Sequence, residues 1–424
     1  MSGLQVIRQT FANRNYRLYV VGNLFSTSGN WVQRVAMGWL TWELTNSAAW
    51  LGAIAFADMF PTFVIGLMAG ALVDRTDSMR LLRLTQVLQF IQVAVMAAMT
   101  FMGVITVWWL LFFALVRGVL VAFNRPARMT TVYYIIGREH LSSAIAINSM
   151  IFNSSRFIGP ALGGALTALG GAGWAFAYNA CTYLAFVAIL LMIKIPPTQI
   201  AGKKKTGLWK DSVDGVRYAM GQRAILFLLI VMLLDSIFVR PFIDLLPGFA
   251  DKVFGRGVDA YSTMLAIHGV GAMLGGYYLA SRGGVAGFTR LLVASLLLLA
   301  LSLLVFTTVH VYWVALPVMF LTGIGFVIQG VAIQTMLQTS VVPEMRGRVM
   351  GIYGVVGRGG PALGALIMGW LSEFFGLPWT VGAGAVLCLV LWAWATTRQS
   401  QYVAELEREP EESPSEAARR RGLE

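Results

Sequence analysis

The sequence predicts an all-helical membrane protein of twelve spans, arranged as two related six-helix halves. Three observations carry this expectation: the composition, the recurrence of span-length apolar runs, and an internal repeat. Of the 424 residues, 57% are hydrophobic and 12% charged. The mean hydropathy is +0.70, too apolar for a domain whose surface faces water. A bilayer-crossing helix needs roughly 20 mainly apolar residues. Such runs recur at about 19–44, 50–73, 81–104, 107–135, 141–169, 173–195, 224–248, 259–281, 288–310, 312–340, 346–372 and 378–397. Little sequence remains for a soluble domain.

The halves carry matching landmarks in the same order, as a duplicated six-helix unit would. Ile158-Gly159-Pro160-Ala161-Leu162-Gly163-Gly164 in span 5 answers Gly359-Gly360-Pro361-Ala362-Leu363-Gly364-Ala365 in span 11. Gly118 and Glu139 match Gly323 and Glu344 at a spacing of 205, and the Gly-Pro pairs match at 201. The offset is about one helical turn. Residues 1–195 and 224–398 are therefore read as two bundles, joined by a linker at 196–223 and followed by a charged tail at 399–424, helical at first and then disordered. The linker opens on Pro196-Pro197 and carries Lys203, Lys204, Lys205, Lys210, Arg217 and Arg223, suited to a cytoplasmic surface over anionic lipid.

A net charge of +12 would suit a polyanion, but its distribution points elsewhere. The 32 Lys and Arg fall mainly in the N-terminal segment, the even-to-odd connections and the tail. Only Lys252 and Arg256 lie in the opposite loops. This is the positive-inside pattern, so both termini are expected in the cytoplasm of a cell whose inner membrane holds the chain. No nucleic-acid partner and no obligatory protein partner is expected. Arg8, Arg14 and Arg17 precede an apolar run too long for a cleavable signal. Cys181 and Cys388 each sit inside an apolar run and read as packing residues.

Between spans 2 and 3 the chain reads Gly70-Ala71-Leu72-Val73-Asp74-Arg75-Thr76-Asp77-Ser78-Met79-Arg80. This resembles the signature loop of the major facilitator superfamily, with Asp77 where that family prefers Gly. The resemblance implies a cytoplasmic latch of Gly70, Asp74, Arg75 and Arg80, for which Arg346 and Arg348 are candidate partners. Span 5 carries Ser155-Arg156-Phe157-Ile158-Gly159-Pro160-Ala161-Leu162-Gly163-Gly164. It resembles the antiporter motif of the same superfamily, with Ser155 for its first Gly. Small residues permit close helix approach, and Pro160 bends the rod. The motif, at Gly159, Pro160, Gly163 and Gly164, accompanies export in that family. Gly29-Asn30-Trp31-Val32-Gln33 and Asn124-Arg125-Pro126-Ala127 are similar to the enterobactin exporter and drug–proton antiporter 3 branch. The resemblance spans roughly residues 11 to 398.

Eight charged side chains are assigned to the membrane interior: Arg34, Asp58, Arg117, Arg156, Asp235, Arg240, Asp244 and Arg358. Each costs about 2.5 to 3.5 kcal/mol at a helix centre on insertion scales, so they are expected to line an aqueous cavity or pair across it. Ser26, Asn30 and Arg34 share one helical face, as do Arg117, Asn124 and Arg128. Arg240 and Asp244 are spaced to pair, with Pro241 between them, and Asp235 lies about 140° away. Asp58, then Asp235, with Asp244 and His268, are the candidates for proton exchange, because a buried acid can shed and regain a proton as a cavity opens to either side. Static ion pairs would account for the acids equally, and a hydrogen-bonded interior site for the histidine.

The reading that follows is a secondary exporter of a small amphipathic compound, siderophore or drug-like, driven by the proton gradient with no cofactor. Five intramembrane Arg against three Asp lean toward an anionic cargo. A lipid or lysophospholipid transporter and a non-transporting sensor of the same fold are the alternatives. No metal cluster, nucleophile triad or phosphate loop supports an enzyme.

Overall fold

The computed structural model describes residues 10–73, 76–137, 140–194, 208–282 and 284–407. Among them no strand occurs, and long helices succeed one another across short turns. In the first half these are α1 (Arg14–Thr45), α2 (Ala48–Val73), α3 (Ser78–Phe101), α4 (Val107–Ile136), α5 (Leu141–Gly170) and α6 (Ala172–Met192). A connecting helix follows, α7 (Leu208–Gly221). The second half holds α8 (Arg223–Phe238), α9 (Val258–Arg282), α10 (Phe288–Thr308), α11 (Tyr312–Ser340), α12 (Pro343–Phe375) and α13 (Leu377–Leu406).

Local chemistry sets the ends. The Asn13 side chain accepts the Tyr16 N–H at the start of α1, and Asn46 ends that helix in the left-handed region at φ 48°. Asn tolerates that conformation, which lets α2 begin within two residues. Asp77 accepts from the N–H groups of Met79 and Arg80 and so caps α3. The aspartate that departs from the signature loop thus serves as a helix cap.

Among the described residues eight helices are long and apolar enough to cross a membrane: α2, α3, α4, α6, α8 with its extension to Ile243, α10, α11 and α13. Of the other long helices, α1 carries Asn23, Ser26, Asn30, Gln33 and Arg34, and α5 carries Asn148, Asn153 and Arg156. Likewise α9 holds Asp259 and His268, and α12 holds Arg346, Arg348 and Arg358. All four pack across the boundary between the halves, and Asn23, Ser26, Gln33 and His268 are buried against protein. Across that boundary α2 lies on α12, α5 on α9, and α1 meets the segment after α8.

The Gly-Pro helices repeat one packing scheme. On α5, a Cβ at Gly159 would come within 2.3 Å of the Trp31 side chain of α1. On α12, one at Gly360 would come within 1.9 Å of Ser236 Oγ on α8. The same helices also form the seams between halves, where a Cβ at Gly164 would strike Ser262 of α9.

One expectation is corrected. Span 7 is not continuous: after Phe238 it passes through a 3-10 turn (Arg240–Ile243), a short turn (Leu246–Gly248) and a π turn (Phe249–Val253). Pro241 and Pro247 lack the N–H groups a regular helix would use there. Arg125 and Arg128 lie within α4, two to three turns before its end. The last helix runs past 398 to Leu406, and Glu407 accepts the N–H groups of Gly287 (2.6 Å) and Thr289 (2.9 Å), capping α10.

Candidate functional site

The charged residues meet where α1, α2, α4 and the broken end of α8 come together. Arg117 of α4 bonds the Asp58 carboxylate of α2. Its other terminal nitrogen reaches Asn30 Oδ1 at 3.4 Å, and the Tyr183 hydroxyl donates to the same oxygen at 2.8 Å. Arg34 of α1 crosses to the second half and donates to Asp244 Oδ1 at 2.7 Å. A cavity of about 50 Å³ lies between these pairs, lined by Gln33, Arg34, Asp58, Arg117, Asp244 and Tyr261 among others. It has room for a few waters and none for a siderophore in this conformation.

The third carboxylate is housed differently. Asp235 Oδ2 accepts from Arg240 Nε at 2.8 Å, and the aspartate side chain is 1% exposed. Arg240 also lies over the Phe326 ring. The expected Arg240–Asp244 pair is therefore absent. The helix breaks at Val239, so the regular spacing that set Arg240 beside Asp244 does not apply. The 3-10 turn swings the guanidinium back to Asp235 and leaves Asp244 for Arg34.

The remaining predicted residues divide. Arg156 bonds His268 Nε2 at 2.8 Å, which joins α5 to α9. The face of α1 meets that of α4, with Arg128 bonding Asn23 and reaching Ser26 Oγ at 3.3 Å. Asn124 leaves that face and donates to Thr85 Oγ1 of α3 at 2.8 Å. Arg358 on α12 is half-buried and has no hydrogen-bond partner among the described residues. Of the latch, Asp74 and Arg75 lie outside the described residues, as do the surroundings of Gly70. Arg80 pairs with its own helix cap, Asp77, at 3.4 Å, Arg346 is exposed, and Arg348 donates to Met345 Sδ.

Sequence reasoning missed a second set of contacts, at the end of the molecule holding Asn46. The Ser47 hydroxyl (2.6 Å) and the Ala49 N–H (3.0 Å) both donate to Glu373 Oε1 of α12. Lys252 donates to Asn46 O at 3.1 Å and lies over the Trp42 ring, and Trp42 Nε1 donates to Asp251 Oδ2 at 2.9 Å. The α1–α2 turn is gripped from two sides by the other half. Asp251, Lys252 and Glu373 sit outside the apolar runs, where an isolated charge carries no signal of its partner. Gln33, Tyr183 and Tyr261 were missed because one polar amide or tyrosine in an apolar run gives no pattern.

A helical membrane fold with paired charges at a boundary between two related halves defines a membrane transporter of the major facilitator type. Solved structures support the fold. The nucleoside transporter NupG superposes with a TM-score of 0.72 at 13% identity, covering 92% of this chain and 100% of that one. A bacterial homologue of the human lysosomal transporter Spinster, in an inward-facing conformation, gives 0.70 at 16%, covering 95% and 99%.

The chain belongs to the transmembrane secretion effector family of major facilitator transporters, whose model matches residues 8–418. It is a multi-pass membrane transporter and not an enzyme. It is 25% identical to the staphyloferrin A transporter of Staphylococcus aureus over 82% of this chain and 87% of that protein. It is 26% identical to the multidrug efflux pump Tap of Mycolicibacterium fortuitum, over 88% and 93%. It is 24% identical to the enterobactin exporter EntS of Escherichia coli, over 80% and 79%.

Proposed function

We propose that this protein exports a small amphipathic compound, siderophore or drug-like, from the cytoplasm in exchange for protons. The observation that carries the reading is the cavity walled by Asp58–Arg117 and Arg34–Asp244, because it puts two ion-paired acids in contact with water at the boundary of the halves. Two bundles, 1–195 and 224–398, of six spans each rock around this point in the inner membrane, with both termini cytoplasmic. The Asn46–Glu373 end then faces the periplasm, and Gly70, Asp74, Arg75 and Arg80 work with Arg346 and Arg348 as the cytoplasmic latch.

Asp58 is the proton carrier in this scheme. When it is charged, Arg117 is held on it. When it is protonated, the guanidinium is released toward Asn30 and the cavity gains a free cation. Asp244 is the second acid, tied directly to the bridge between halves, so its protonation loosens Arg34. The direction of transport follows the named relatives, two of which are an exporter and an efflux pump.

The test is substrate-dependent proton movement in inverted vesicles, with a catecholate siderophore and a cationic dye as cargoes. Asp58→Asn is expected to lower proton-coupled efflux of the accepted cargo by more than tenfold while the protein still inserts and melts as a folded species. Normal efflux by Asp58→Asn under a proton gradient removes Asp58 from the coupling role. Cargo movement that ignores the gradient in the unmodified protein favours the lipid-transporter reading instead.

A further inference from the structure

We infer that Arg156 is the residue that receives the anionic group of the cargo, a carboxylate or catecholate, and that His268 holds its place until that group arrives. The inference rests on the export reading and adds the recognition chemistry. The intramembrane carboxylates Asp58, Asp244 and Asp235 are each committed to an arginine, Arg117, Arg34 and Arg240 respectively. Arg156 lies within electrostatic reach of both Arg240 and Arg34. No carboxylate answers it among the described residues. Its hydrogen-bond partner there is the imidazole of His268, at 2.8 Å from Nη2.

That imidazole is neutral by its own hydrogen bonds. The Thr322 hydroxyl donates to the Met319 carbonyl at 2.8 Å, so Thr322 Oγ1 is left to accept from His268 Nδ1, 3.1 Å away. With the ring proton on Nδ1, Nε2 presents a lone pair to the guanidinium. A fork of five N–H donors therefore spends one on a neutral acceptor and keeps the rest. This is a weak hold on a cation in low dielectric, and a carboxylate or catecholate making two parallel bonds would displace it. Arg156 is half-buried, whereas His268 is 2% exposed, so the arginine is the more accessible member of the pair.

The placement gives recognition a consequence. Arg156 and His268 form a polar link across the α5–α9 seam, which is otherwise tight. A Cβ on Gly269 would lie 2.8 Å from the Arg156 carbonyl oxygen, and one on Gly164 would strike Ser262. An anion that draws Arg156 away from His268 removes that link and frees the seam to part.

The experiment uses the purified full chain in lipid nanodiscs. Citrate and 2,3-dihydroxybenzoate serve as anionic probes and tetraphenylphosphonium as the cationic one, with binding read by calorimetry and folding by melting temperature. Arg156→Gln is expected to weaken anion binding roughly tenfold to a hundredfold, the size of a lost charged hydrogen-bond pair, and to leave or strengthen binding of the cation. Arg156→Lys keeps charge without the fork and should fall between. His268→Ala lowers the melting temperature yet binds the anions as well as the unmodified protein or better, because the guanidinium is released. A purely structural pair predicts the opposite, with both variants losing binding together as both lose stability. Equal loss in Arg156→Gln and His268→Ala overturns the inference, as does anion binding untouched by Arg156→Gln, or binding of tetraphenylphosphonium with no anion bound. If Arg156→Gln does not fold, Arg156→Lys against His268→Ala decides the same question. Binding is read without a gradient, so a failure of proton-driven export in vesicles leaves this result standing, and the reverse also holds.

Discussion

The two halves match in helix order and in the packing of their Gly-Pro helices, but they house their acids in opposite ways. In the first half Asp58 is held by Arg117 at a cavity wall, with side chains 22% and 14% exposed. In the second half Asp235 is sealed behind Arg240, with the acid 1% exposed and the arginine 32%. A repeat can keep its packing and still separate two roles. An acid that exchanges protons must meet water, whereas one that fixes a broken helix need not. Asp58 suits the first task. Asp235, holding the guanidinium that follows the break at Val239, suits the second.

The comparison is tested most strongly by removing each acid in turn. Asp235→Ala leaves Arg240 without its partner beside a buried site, and breaking such a pair costs about 3 kcal/mol or more. A large fall in melting temperature of the detergent-solubilised protein is expected. Asp58→Ala, at a wetter wall where Asn30 remains within reach of Arg117, should cost about 1 kcal/mol. Transport should rank the other way, with proton exchange lost in Asp58→Asn and kept in Asp235→Asn. If Asp235→Asn stops proton exchange while melting normally, the division of roles between halves is wrong.

How far the site was legible in the sequence follows from the same residues. The spans and the repeat could be read because apolar runs and Gly-Pro landmarks are local signals. The faces of α1 and α4 could be read because both helices are regular, so Arg34, Asn30 and Arg117 fell where periodicity put them. The pairing in the second half could not, since Pro241 ends the regular helix and a five-residue separation, Asp235 to Arg240, then brings together what 3.6-residue geometry keeps apart. Asn124 shows a further limit, because a polar side chain on the right face still turned to Thr85 of a neighbouring helix. The clasp at Glu373 joins residues 326 apart in sequence, and nothing local announces it.

That clasp supplies the next comparison, between the charged centre and the end that grips the α1–α2 turn. Glu373→Ala removes two charge-assisted acceptor contacts, from the Ser47 hydroxyl and the Ala49 N–H. A loss of about 1 to 2 kcal/mol is expected in the closed arrangement of that end. Spin labels at Leu169 and Trp379, exposed positions on opposite halves, should report a longer distance or a second population. An unchanged distance distribution would show that the seams of α2 on α12 and α5 on α9 close this end without the clasp.

The smallest expected effect is at Lys252, on the other side of the same turn. Its ammonium lies 4.9 Å from the Trp42 ring centroid and donates to Asn46 O, but the side chain is exposed, so solvent and salt screen it. Lys252→Met keeps the apolar stem over the indole and removes the charge and the donor. A shift of about 0.5 to 1 kcal/mol follows from an exposed cation–π contact, which in the same spin-label experiment amounts to a few-fold change in populations. Added salt should shrink the difference between Lys252→Met and the unmodified protein, whereas the Ser47 and Ala49 bonds to Glu373, which are short and direct, should respond less. Arg256, over the rings of Tyr312 and Trp313 within its own half, provides the control: Arg256→Met leaves the distance between halves unchanged if the grip on the α1–α2 turn, and not the positive charge of that end in general, holds the halves together.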